Sequence, residues 1–440
     1  MTTSKSANGG SPPGTAGINV RYVYSACVVT STPDVRVLHD PWFTEGVYDG
    51  SWFHYPEVKD PLRSIGDVDL IYVSHIHPDH YDGAFIKRYF ATYGVKEVVI
   101  ADHSPNHLAG KMRADGIKAT VLSQPRTIGN TSIQIVPHKT GSVADVDSLM
   151  VVKYFDGHRW HCVANANDII FDDDMVGTVR EVAGQPDVLL CGYTGAGPYP
   201  QTYFDLEDPT LITEAEKKKS AFFERYTRLT RAVGAKVNVP FAGKYLLGGK
   251  LTRLNDYRGV ADATEVLAID PHAVVLADDG GEIDTATLQP SGVRTQRYPL
   301  ADIRRREREI AGHLMDYERL ISLDEVHQLP LKRLLAAAAR RAGRDSECDR
   351  DFFFVLPVGG GELAVVNANR AAAQPIEFVR KGTPLPQPRS EIDIDPRYLF
   401  GLLTNVYHWN NAEVGSQYNS RRTPNEFVRK AQSFLTFLRV

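Results

Sequence analysis

The segment Ile71–Gly83, IYVSHIHPDHYDG, contains three histidines and an aspartate within six positions. An apolar run, DLIYV, precedes the cluster and predicts a buried strand, while GAFIKRYFATYG after it predicts a helix closed by glycine. Alternate residues of an extended chain face the same way, so the imidazoles of His75 and His77 project to one side. The intervening proline bends the backbone and turns Asp79 and His80 back toward them. This spacing predicts a site for two metal ions, whereas a single isolated histidine would indicate only a polar loop.

The elements that would position this cluster are alternating strands and helices. Predicted strands include VRVLHDPWF, KEVVIA, DVLLCG and AKVNVPFAG, together with the successive segments TSIQIVPH, SLMVVKYF and RWHCVANAND, the last two joined by a turn at Asp156-Gly157. A long helix is predicted to begin at a capping box of Thr213 and Glu216 and to end at Gly234. This alternation predicts an α/β core, and the cluster then lies on a loop where such sheets hold ligands.

Three regions are predicted along the chain. The polar residues 1–17 predict a disordered tail, and residues 18–258 contain the alternating elements. Residues 259–440 differ in character, with a hairpin predicted in AVVLADDGGEIDTATL, charged amphipathic helices and a Pro-rich link. We expect this mixed, mainly helical extension to pack on the core.

Composition limits the partners and the compartment. The formal charge of -4 over 440 residues gives no basic surface for nucleic acid. No apolar run of about 18 residues predicts a membrane span, and the N-terminus lacks the apolar core of a signal peptide. The four cysteines lie far apart, which predicts neither disulfides nor a sulfur-bound zinc. We predict a cytoplasmic protein that binds neither nucleic acid nor membrane.

The stretch SHIHPDH resembles the signature of the metallo-β-lactamase superfamily. The resemblance implies an αββα sandwich, here with the C-terminal extension, and a site for one or two metals. It also implies two later ligands, His138 in IQIVPHKTG and a metal-bridging acid, Asp168 in VANANDII. Taken alone, His138 is also consistent with a core histidine and Asp168 with a helix N-cap. The implied ligands are His75, His77, Asp79, His80, His138 and Asp168, and both aspartates are also candidate catalytic residues.

One ligand of the superfamily pattern is missing. A last histidine usually follows the final strand of the sandwich, but this chain reads VNVPFAGKY there. The second metal, with Asp79, His80 and Asp168, would keep more open positions for water, dioxygen or substrate. Lys244 occupies this place and is a candidate for holding a substrate carboxylate or phosphate, with a surface lysine as the alternative.

A longer resemblance is to the metallo-β-lactamase part of the CMP-N-acetylneuraminate hydroxylase family. It is carried, in order, by DPWF, DLIYVSHIHPDH, GYTGAGPYPQTYF, VPFAGKY and WNNAEVGSQYNSRRTPNEF. The family consists of oxygenases that act on an N-acetyl group of a nucleotide sugar, and its vertebrate members add a Rieske iron-sulfur domain. The paired Cys-x-His elements of such a domain are not found here. An oxygenase of this kind would need a separate electron donor, a ferredoxin or a reductase.

The resemblances imply a di-iron oxygenase of the hydroxylase type, with dioxygen as co-substrate. A di-iron β-hydroxylase of antibiotic biosynthesis, which acts on a carrier-tethered amino acid, begins its ligand set with the same HxHxDH pattern. We therefore expect a small amine- or amide-bearing substrate, nucleotide-linked or carrier-tethered. The alternative is a zinc or manganese hydrolase of a lactone, amide or phosphoester, in which Asp79 would orient a metal-bound hydroxide. A metal-binding protein without turnover is a third reading.

Other residues are candidates for the wall of the pocket. The loop GYTGAGPYPQTYF follows a strand, and its free backbone N–H groups are suited to an anion or a carbonyl, although a plain tight turn would have the same sequence. Near the C-terminus, polar and aromatic residues such as Asn410 could close over the pocket, or Trp409 could belong to the core and the arginines to ion pairs. The predicted substrate-binding residues are Tyr193, Gly195, Lys244, Trp409 and Arg421.

Overall fold

The computed structural model describes residues 16–139, 146–169 and 173–440, so residues 1–15 of the predicted tail lie outside the described residues. The first elements are β1 (Asn19–Tyr24), β2 (Cys27–Ser31), β3 (Arg36–His39), the short turn α1 (Val47–Gly50), β4 (Trp52–Phe53), α2 (Pro61–Ile65), β5 (Leu70–Tyr72), α3 (Gly83–Tyr93), β6 (Glu97–Ile100), α4 (His107–Ala114), β7 (Ala119–Val121) and β8 (Arg126–Ile128). They are followed by β9 (Thr131–Pro137), β10 (Ser148–Phe155), β11 (Trp160–Asn165), α5 (Asp173–Ala183), β12 (Val188–Gly192), α6 (Leu211–Val233), β13 (Val237–Phe241), β14 (Leu246–Leu247) and two 3-10 segments, Gly249–Tyr257 and Ala263–Ala268.

The last part of the chain mixes strands and helices. Its elements are β15 (Gly281–Asp284), β16 (Pro290–Ser291), α7 (Leu300–Ile310), α8 (Asp316–Leu320), the 3-10 segment Leu323–Gln328, α9 (Leu331–Asp345), β17 (Phe353–Gly359), β18 (Glu362–Asn367), β19 (Ile376–Arg380), β20 (Arg389–Ile394), α10 (Pro396–Leu403), α11 (Trp409–Val414), β21 (Tyr418–Thr423) and α12 (Arg429–Phe437). Within the described part of the chain, every helix is too short or too polar to cross a membrane.

Two sheets lie face to face in the centre of the molecule. The first has the strand order β16-β15-β1-β2-β3-β5-β6-β7, and the second has the order β13-β12-β11-β10-β9-β8. Buried residues of both sheets, among them Tyr72 and Val99 from the first and Met150 and Leu190 from the second, form one hydrophobic cluster. Helices α3 and α4 cover the outer face of the first sheet, and α5 and α6 cover that of the second. This αββα layering confirms the predicted fold class.

Local signals locate most of these strands correctly. The three successive predicted strands are β9, β10 and β11, which pair antiparallel. The predicted turn follows β10, where the backbone N–H groups of His158 and Arg159 donate to Oδ1 of Asp156 at 2.6 and 2.8 Å. A short polar side chain that accepts from the next backbone N–H groups is a typical turn signal, which explains why Asp156-Gly157 predicts this turn correctly.

The start of α6 differs from the prediction. The helix begins at Leu211, and the backbone N–H and hydroxyl of Thr210 donate to Oδ1 of Asp208 at 2.8 and 2.6 Å. This turn orders the chain ahead of the predicted capping box, so Thr213 lies inside the helix. The predicted end is correct, because Gly234 has the left-handed conformation, with φ of 67°, that closes many helices.

The region beyond residue 258 contributes to the sandwich as well as to the extension. Strand β15 pairs antiparallel with β1, from Asn19 opposite Asp284 to Tyr22 opposite Gly281, and β16 pairs with β15. The predicted hairpin therefore lies at the edge of the first sheet, with its second strand later in the chain than expected. The rest forms a five-stranded sheet, β19-β18-β17-β20-β21, with helices that share a hydrophobic cluster with the first sheet and α3.

Candidate metal centre

The candidate ligands lie at the carboxyl ends of parallel strands. Strand β5 pairs in parallel with β3, and His39 lies opposite Tyr72. Residues that follow the two strands therefore meet at one edge of the sheet. Asp40 follows β3 directly, and its backbone N–H donates to the carbonyl of Tyr72 at 3.0 Å. The loop after β5 carries the histidine cluster to the same edge.

Three predicted ligands form a tight group. The ligand atoms of His75, His80 and Asp168 all lie within 4.8 Å of one another. The two imidazole rings have centroids 4.0 Å apart, and Nε2 of His80 lies 3.2 Å from Oδ2 of Asp168. Both histidines are buried, whereas the side chain of Asp168 is 41% exposed. The group therefore has a closed side and an open side.

His75 has an unsatisfied nitrogen. Its Nδ1 lies 2.9 Å from Oγ of Ser74, but its buried Nε2 has no hydrogen-bond partner among the described residues. Burial lowers the pKa of His75 well below its ordinary value, and the neighbouring His80 adds to this effect. A neutral imidazole with a buried, unpartnered nitrogen costs about 1–3 kcal/mol unless another group binds it. A cation beside Asp168 would satisfy this nitrogen, so the residues fit a metal ion.

His80 is surrounded by carboxylates. Its Nδ1 donates to Oδ2 of Asp40 at 3.1 Å, and its Nε2 lies 3.4 Å from Oδ2 of Asp79. Asp40 is itself fixed, because it accepts from the backbone N–H and hydroxyl of Ser74 at 2.7 and 2.8 Å and from Nδ2 of Asn167 at 2.8 Å. Asp40 thus determines which nitrogen of His80 points into the group, as is typical of ligands oriented by a second carboxylate.

The charges in this group depend on one another. Burial would lower the pKa of His80, but the carboxylates of Asp168 and Asp79 raise it well above its ordinary value. Burial would raise the pKa of Asp79, but the charge of His80 holds it well below its usual range. An imidazolium thus neutralises the carboxylates here, and a divalent cation could take over that role when it displaces the proton.

Tyr48 contacts the predicted ligand Asp79, a contact that no sequence pattern predicts. Its hydroxyl donates a hydrogen bond to Oδ1 of Asp79. Tyr48 lies in α1 with φ of 57°, and its carbonyl accepts from Nε2 of Gln417 at 2.9 Å. Burial and the charge of Asp79 raise the pKa of the phenol well above its ordinary value, so Tyr48 remains a donor. No spacing rule connects position 48 with position 79, so no sequence signal indicated this contact.

Two further predicted ligands lie outside the tight group. His77 donates from Nε2 to Oδ1 of Asn410 in α11 at 2.9 Å, and its ring centroid is 4.7 Å from that of His75. His138 follows β9, is buried, and donates its backbone N–H to the carbonyl of Asp147 at 2.9 Å. Oδ1 of Asp147 lies 3.8 Å from Nδ1 of His75. Asp147 therefore connects the loop after β9 with the histidine cluster, and ligand roles for His77 and His138 stay predictions.

The predicted pocket residues of the middle region have partners within the protein. Tyr193 follows β12 and is buried. Gly195 packs against α6, since a Cβ there would lie 2.0 Å from Cζ of Phe222. The amine of Lys244 donates to both oxygens of Asp278 at 2.8 Å. Lys244 is therefore engaged in an internal ion pair rather than in a surface contact.

The predicted pocket residues near the C-terminus also have internal partners. Trp409 is buried and donates from Nε1 to the carbonyl of Leu438 at 3.0 Å, so it belongs to the core. Arg421 forms a surface ion pair with Asp205, in agreement with the alternative that the arginines belong to ion pairs. Substrate contacts by the two residues stay predictions, whereas the neighbouring Asn410 does reach the histidine cluster.

Comparison with known proteins agrees with this architecture. Residues 19–197 match the family model of the beta-lactamase superfamily domain. A protein of Mycolicibacterium smegmatis named as a Rieske 2Fe-2S iron-sulfur protein is 31% identical over 239 residues, which cover 51% of this chain and 43% of that protein. The cytidine monophosphate-N-acetylneuraminic acid hydroxylase of Gorilla gorilla gorilla is 21% identical over 239 residues, 52% of this chain and 38% of that enzyme. The chain spans about half the length of the curated relatives it matches.

Solved structures with a similar outline include enzymes of two classes. An isothiocyanate hydrolase from Delia radicum gut bacteria is 16% identical, with 60% of this chain and 98% of that chain covered and a TM-score of 0.41. CmlA, a diiron beta-hydroxylase from Streptomyces venezuelae, is 15% identical, with 62% of this chain and 55% of that chain covered and a TM-score of 0.41. Likenesses of this size do not distinguish the two kinds of chemistry. The sandwich, the candidate ligands at its strand ends and the family-model match agree on one point: residues 19–197 are similar to the beta-lactamase superfamily domain.

Proposed function

We propose that the protein is a di-iron, dioxygen-dependent oxygenase that hydroxylates a small amine- or amide-bearing metabolite. The observation that carries the proposal is the ligand composition around His80. This side of the centre offers one imidazole and two carboxylates, Asp79 and Asp168. Lys244, in the place of the usual last histidine, is held by Asp278. Iron accepts such mixed nitrogen and oxygen ligands with vacant positions more readily than zinc does.

The residues divide into two ligand sets. His75, His77 and His138 would hold one metal, and Asp79, His80 and Asp168 would hold the other, with Asp168 shared between them. When bound, two iron ions would supply the chemistry that inserts one oxygen atom of dioxygen into a substrate C–H or N–H bond and reduces the other to water. This balance requires two electrons and two protons, so a ferredoxin or a reductase must act as donor.

The chain's own residues would keep the ligands in place. Asp40 holds Nδ1 of His80 and thereby directs Nε2 toward the two other carboxylates. Tyr48 holds one oxygen of Asp79 and leaves the other, Oδ2, on the side of His80. The exposed side chain of Asp168 lies where solvent or a small substrate can approach. His80 and Asp79 thus each present a fixed ligand atom, which a reaction centre needs.

The relatives support the kind of substrate and partner. The hydroxylase among them acts, by its name, on a cytidine monophosphate-linked N-acetyl sugar. We extend from this enzyme only the class, a small amide-bearing metabolite with a nucleotide or carrier attached. The Rieske-named relative supports an electron donor of the iron-sulfur type.

A zinc or manganese hydrolase is the second candidate. The tight group of two histidines and one aspartate, with the aspartate partly exposed, is also the kind of three-ligand site that zinc hydrolases use to activate water. In that case Asp79 would orient the attacking hydroxide. The substrate would be a lactone, an amide or a phosphoester, and turnover would not need oxygen.

Metal analysis of protein purified without added metal tests the proposal. The oxygenase predicts about two irons per chain and an absorption that bleaches on anaerobic reduction and returns with oxygen. Asp168→Asn should lower the iron content, while Asp174→Asn, an exposed aspartate six positions later, should not. Colourless protein that holds zinc after growth in iron-rich medium would favour the hydrolase instead.

A further inference from the structure

Lys218 of α6 has a buried amine without an acidic partner among the described residues. The residue is half-buried, but its Nζ is closed to solvent and has no hydrogen-bond partner among the described residues. Its neighbours on the helix differ, since Lys217 pairs with Glu214 at 2.6 Å and Lys219 pairs with Glu216 at 2.8 Å. Lys218 is therefore the one amine of this lysine run that turns inward and finds no acid in the described part of the chain.

Arg258 is a second cation with a buried, unpartnered donor. Arg258 is 5% exposed and is fixed by hydrogen bonds from Nη2 to the carbonyl of Tyr245 at 3.0 Å and from Nε to that of Asn255 at 3.4 Å. Its Nη1 is buried and has no hydrogen-bond partner in the residues described. No carboxylate lies within 4.0 Å of it in that part of the structure. Arg258 thus presents one unused donor from a rigid position.

The packing of α6 brings the two cations together. Gly259 lies against α6 so closely that a Cβ there would be 2.4 Å from the carbonyl oxygen of Ala215. Lys218 is one turn further along the helix. Arg258 immediately precedes Gly259, and its positive charge adds to the effect of burial in lowering the pKa of Lys218. Burial and the charge of Arg258 disfavour the protonated form of Lys218 in the free protein, and an anion bound by both side chains would offset the repulsion and supply the missing hydrogen bonds.

We propose that Lys218 and Arg258 form a binding site for a small oxyanion, a phosphate or a carboxylate group. Arg258, held by its hydrogen bonds to two carbonyls, is one side of the site, and the Lys218 amine is the other side. The anion would receive one hydrogen bond from Nη1 of Arg258 and one from Nζ of Lys218. The site does not depend on which metal the candidate centre holds.

An aromatic stack connects the oxyanion site with the candidate metal centre. The guanidinium of Arg258 lies 4.3 Å from the ring centroid of Tyr245, which stacks on Trp52 at 3.4 Å with an interplanar angle of 4°. Trp52 in turn meets Tyr48 at 4.5 Å, and Tyr48 donates to Asp79. The oxyanion site and the centre are thus separated by three aromatic side chains. The occupant of the oxyanion site would be either the acidic group of a substrate bound near the centre or a free inorganic anion.

Calorimetric titration of the whole chain with sulfate, in a low-salt buffer at about pH 8, tests the proposal. Burial, with a contribution from Arg258, lowers the pKa of Lys218 to about 7, so this amine is mostly neutral at that pH. If sulfate binding requires a protonated Lys218, the complex should take up to about one proton from the buffer. Repeating the titration in buffers of different ionisation enthalpy measures this uptake. Sulfate itself does not titrate in this range.

The variants are made at Lys218, because Arg258 is tightly packed and its replacement would also disturb folding. Lys218→Met should weaken sulfate binding about tenfold or more, since a charged hydrogen bond is lost. Lys218→Arg should retain binding without proton uptake, and Lys217→Met, a matched change on the surface, should bind as the wild type does. A folded wild type that shows no sulfate binding, or binding unaffected by Lys218→Met, would overturn the proposal.

The same titration with methylphosphonate distinguishes the two sources of the anion. Binding similar to that of sulfate indicates a site open to the acidic group of a larger molecule. Binding of sulfate alone indicates a site for a free inorganic anion. Failure of either probe leaves the iron and spectroscopic results of the proposed function unchanged, so the two proposals can be rejected separately.

Discussion

Nε2 of His77 donates a 2.9 Å hydrogen bond to Oδ1 of Asn410, a residue 333 positions later in the chain. The bond joins the loop after β5 to α11, so the C-terminal extension reaches the candidate metal centre. Because the amide oxygen can only accept, it fixes the proton of His77 on Nε2 and leaves the lone pair of Nδ1 available. Asn410 therefore positions a predicted ligand although it is remote in sequence.

Asn410→Leu should weaken metal binding at His77. Loss of a partner that orients a ligating histidine typically costs about 10- to 100-fold in metal affinity. Competition between the protein and a coloured chelator would measure the change. Asn410→Asp, which keeps an acceptor for Nε2, is the matched control and should retain most of the affinity. Equal affinities for all three proteins would mean that Asn410 has no role in ligand orientation.

Tyr48→Phe should destabilise the protein and loosen Asp79. The change removes one hydrogen bond to a buried carboxylate, for which we expect a loss of about 1–3 kcal/mol in the free energy of unfolding. Tyr407→Phe is the control, because the buried hydroxyl of Tyr407 has no hydrogen-bond partner in the described structure. Denaturant unfolding of both variants would measure the difference. If both lose the same stability, the bond between Tyr48 and Asp79 contributes nothing.

Asp49→Asn should stabilise the protein above about pH 6 and not below pH 4. Burial raises the pKa of Asp49 from its ordinary 3.8 to about 6. The folded state therefore favours the protonated carboxyl of Asp49. The stability that this protonated form contributes is fully present below the unfolded pKa of 3.8 and is lost as the pH rises through the folded pKa of about 6. The amide keeps an acceptor for the hydroxyl of Tyr398, which donates to Asp49 at 2.7 Å.

Thermal unfolding between about pH 4 and pH 8 would reveal this dependence as a gap in the free energy of unfolding between wild type and variant that opens with pH, up to about 3 kcal/mol. Asp324→Asn, an exposed aspartate, should show no such gap. A gap that is constant over the whole range would mean that Asp49 does not titrate with folding.

Lys244→Met should destabilise the protein through Asp278. Both residues are largely buried, and removal of one partner leaves a buried charge, which typically costs about 3–5 kcal/mol. Lys244→Met combined with Asp278→Asn should recover a large part of that loss. Chemical unfolding of the single and double variants gives the coupling between the two residues. A stable Lys244→Met variant with impaired activity would instead support the substrate-binding role predicted from the sequence.

The sequence predicts the parts of this molecule that depend on local patterns. The alternation of strands and helices predicts the α/β core, and the spacing from His75 to His80 predicts a metal site at its edge. The αββα sandwich and the approach of Asp168 to these histidines were implied by the resemblance to the metallo-β-lactamase superfamily. The contacts of Tyr48 and Asn410 were not predictable in the same way, because each joins loops whose approach depends on the packing of distant elements. The same is true of Lys244, whose partner Asp278 follows 34 positions later. The start of α6 was missed because Asp208, outside the apolar pattern, orders the chain before it.

The pairing of β15 with β1 has a consequence for synthesis on the ribosome. When residues up to 258 have emerged, β1 has β2 on one side but its other edge is unpaired, since Gly281–Asp284 is still to be made. An open strand edge is a template for association with other chains, so the nascent protein passes through an aggregation-prone stage. A chain truncated between these positions would remain in that stage permanently. The hairpin of β15 and β16 thus covers the free edge of β1 and protects the first sheet from association with other chains.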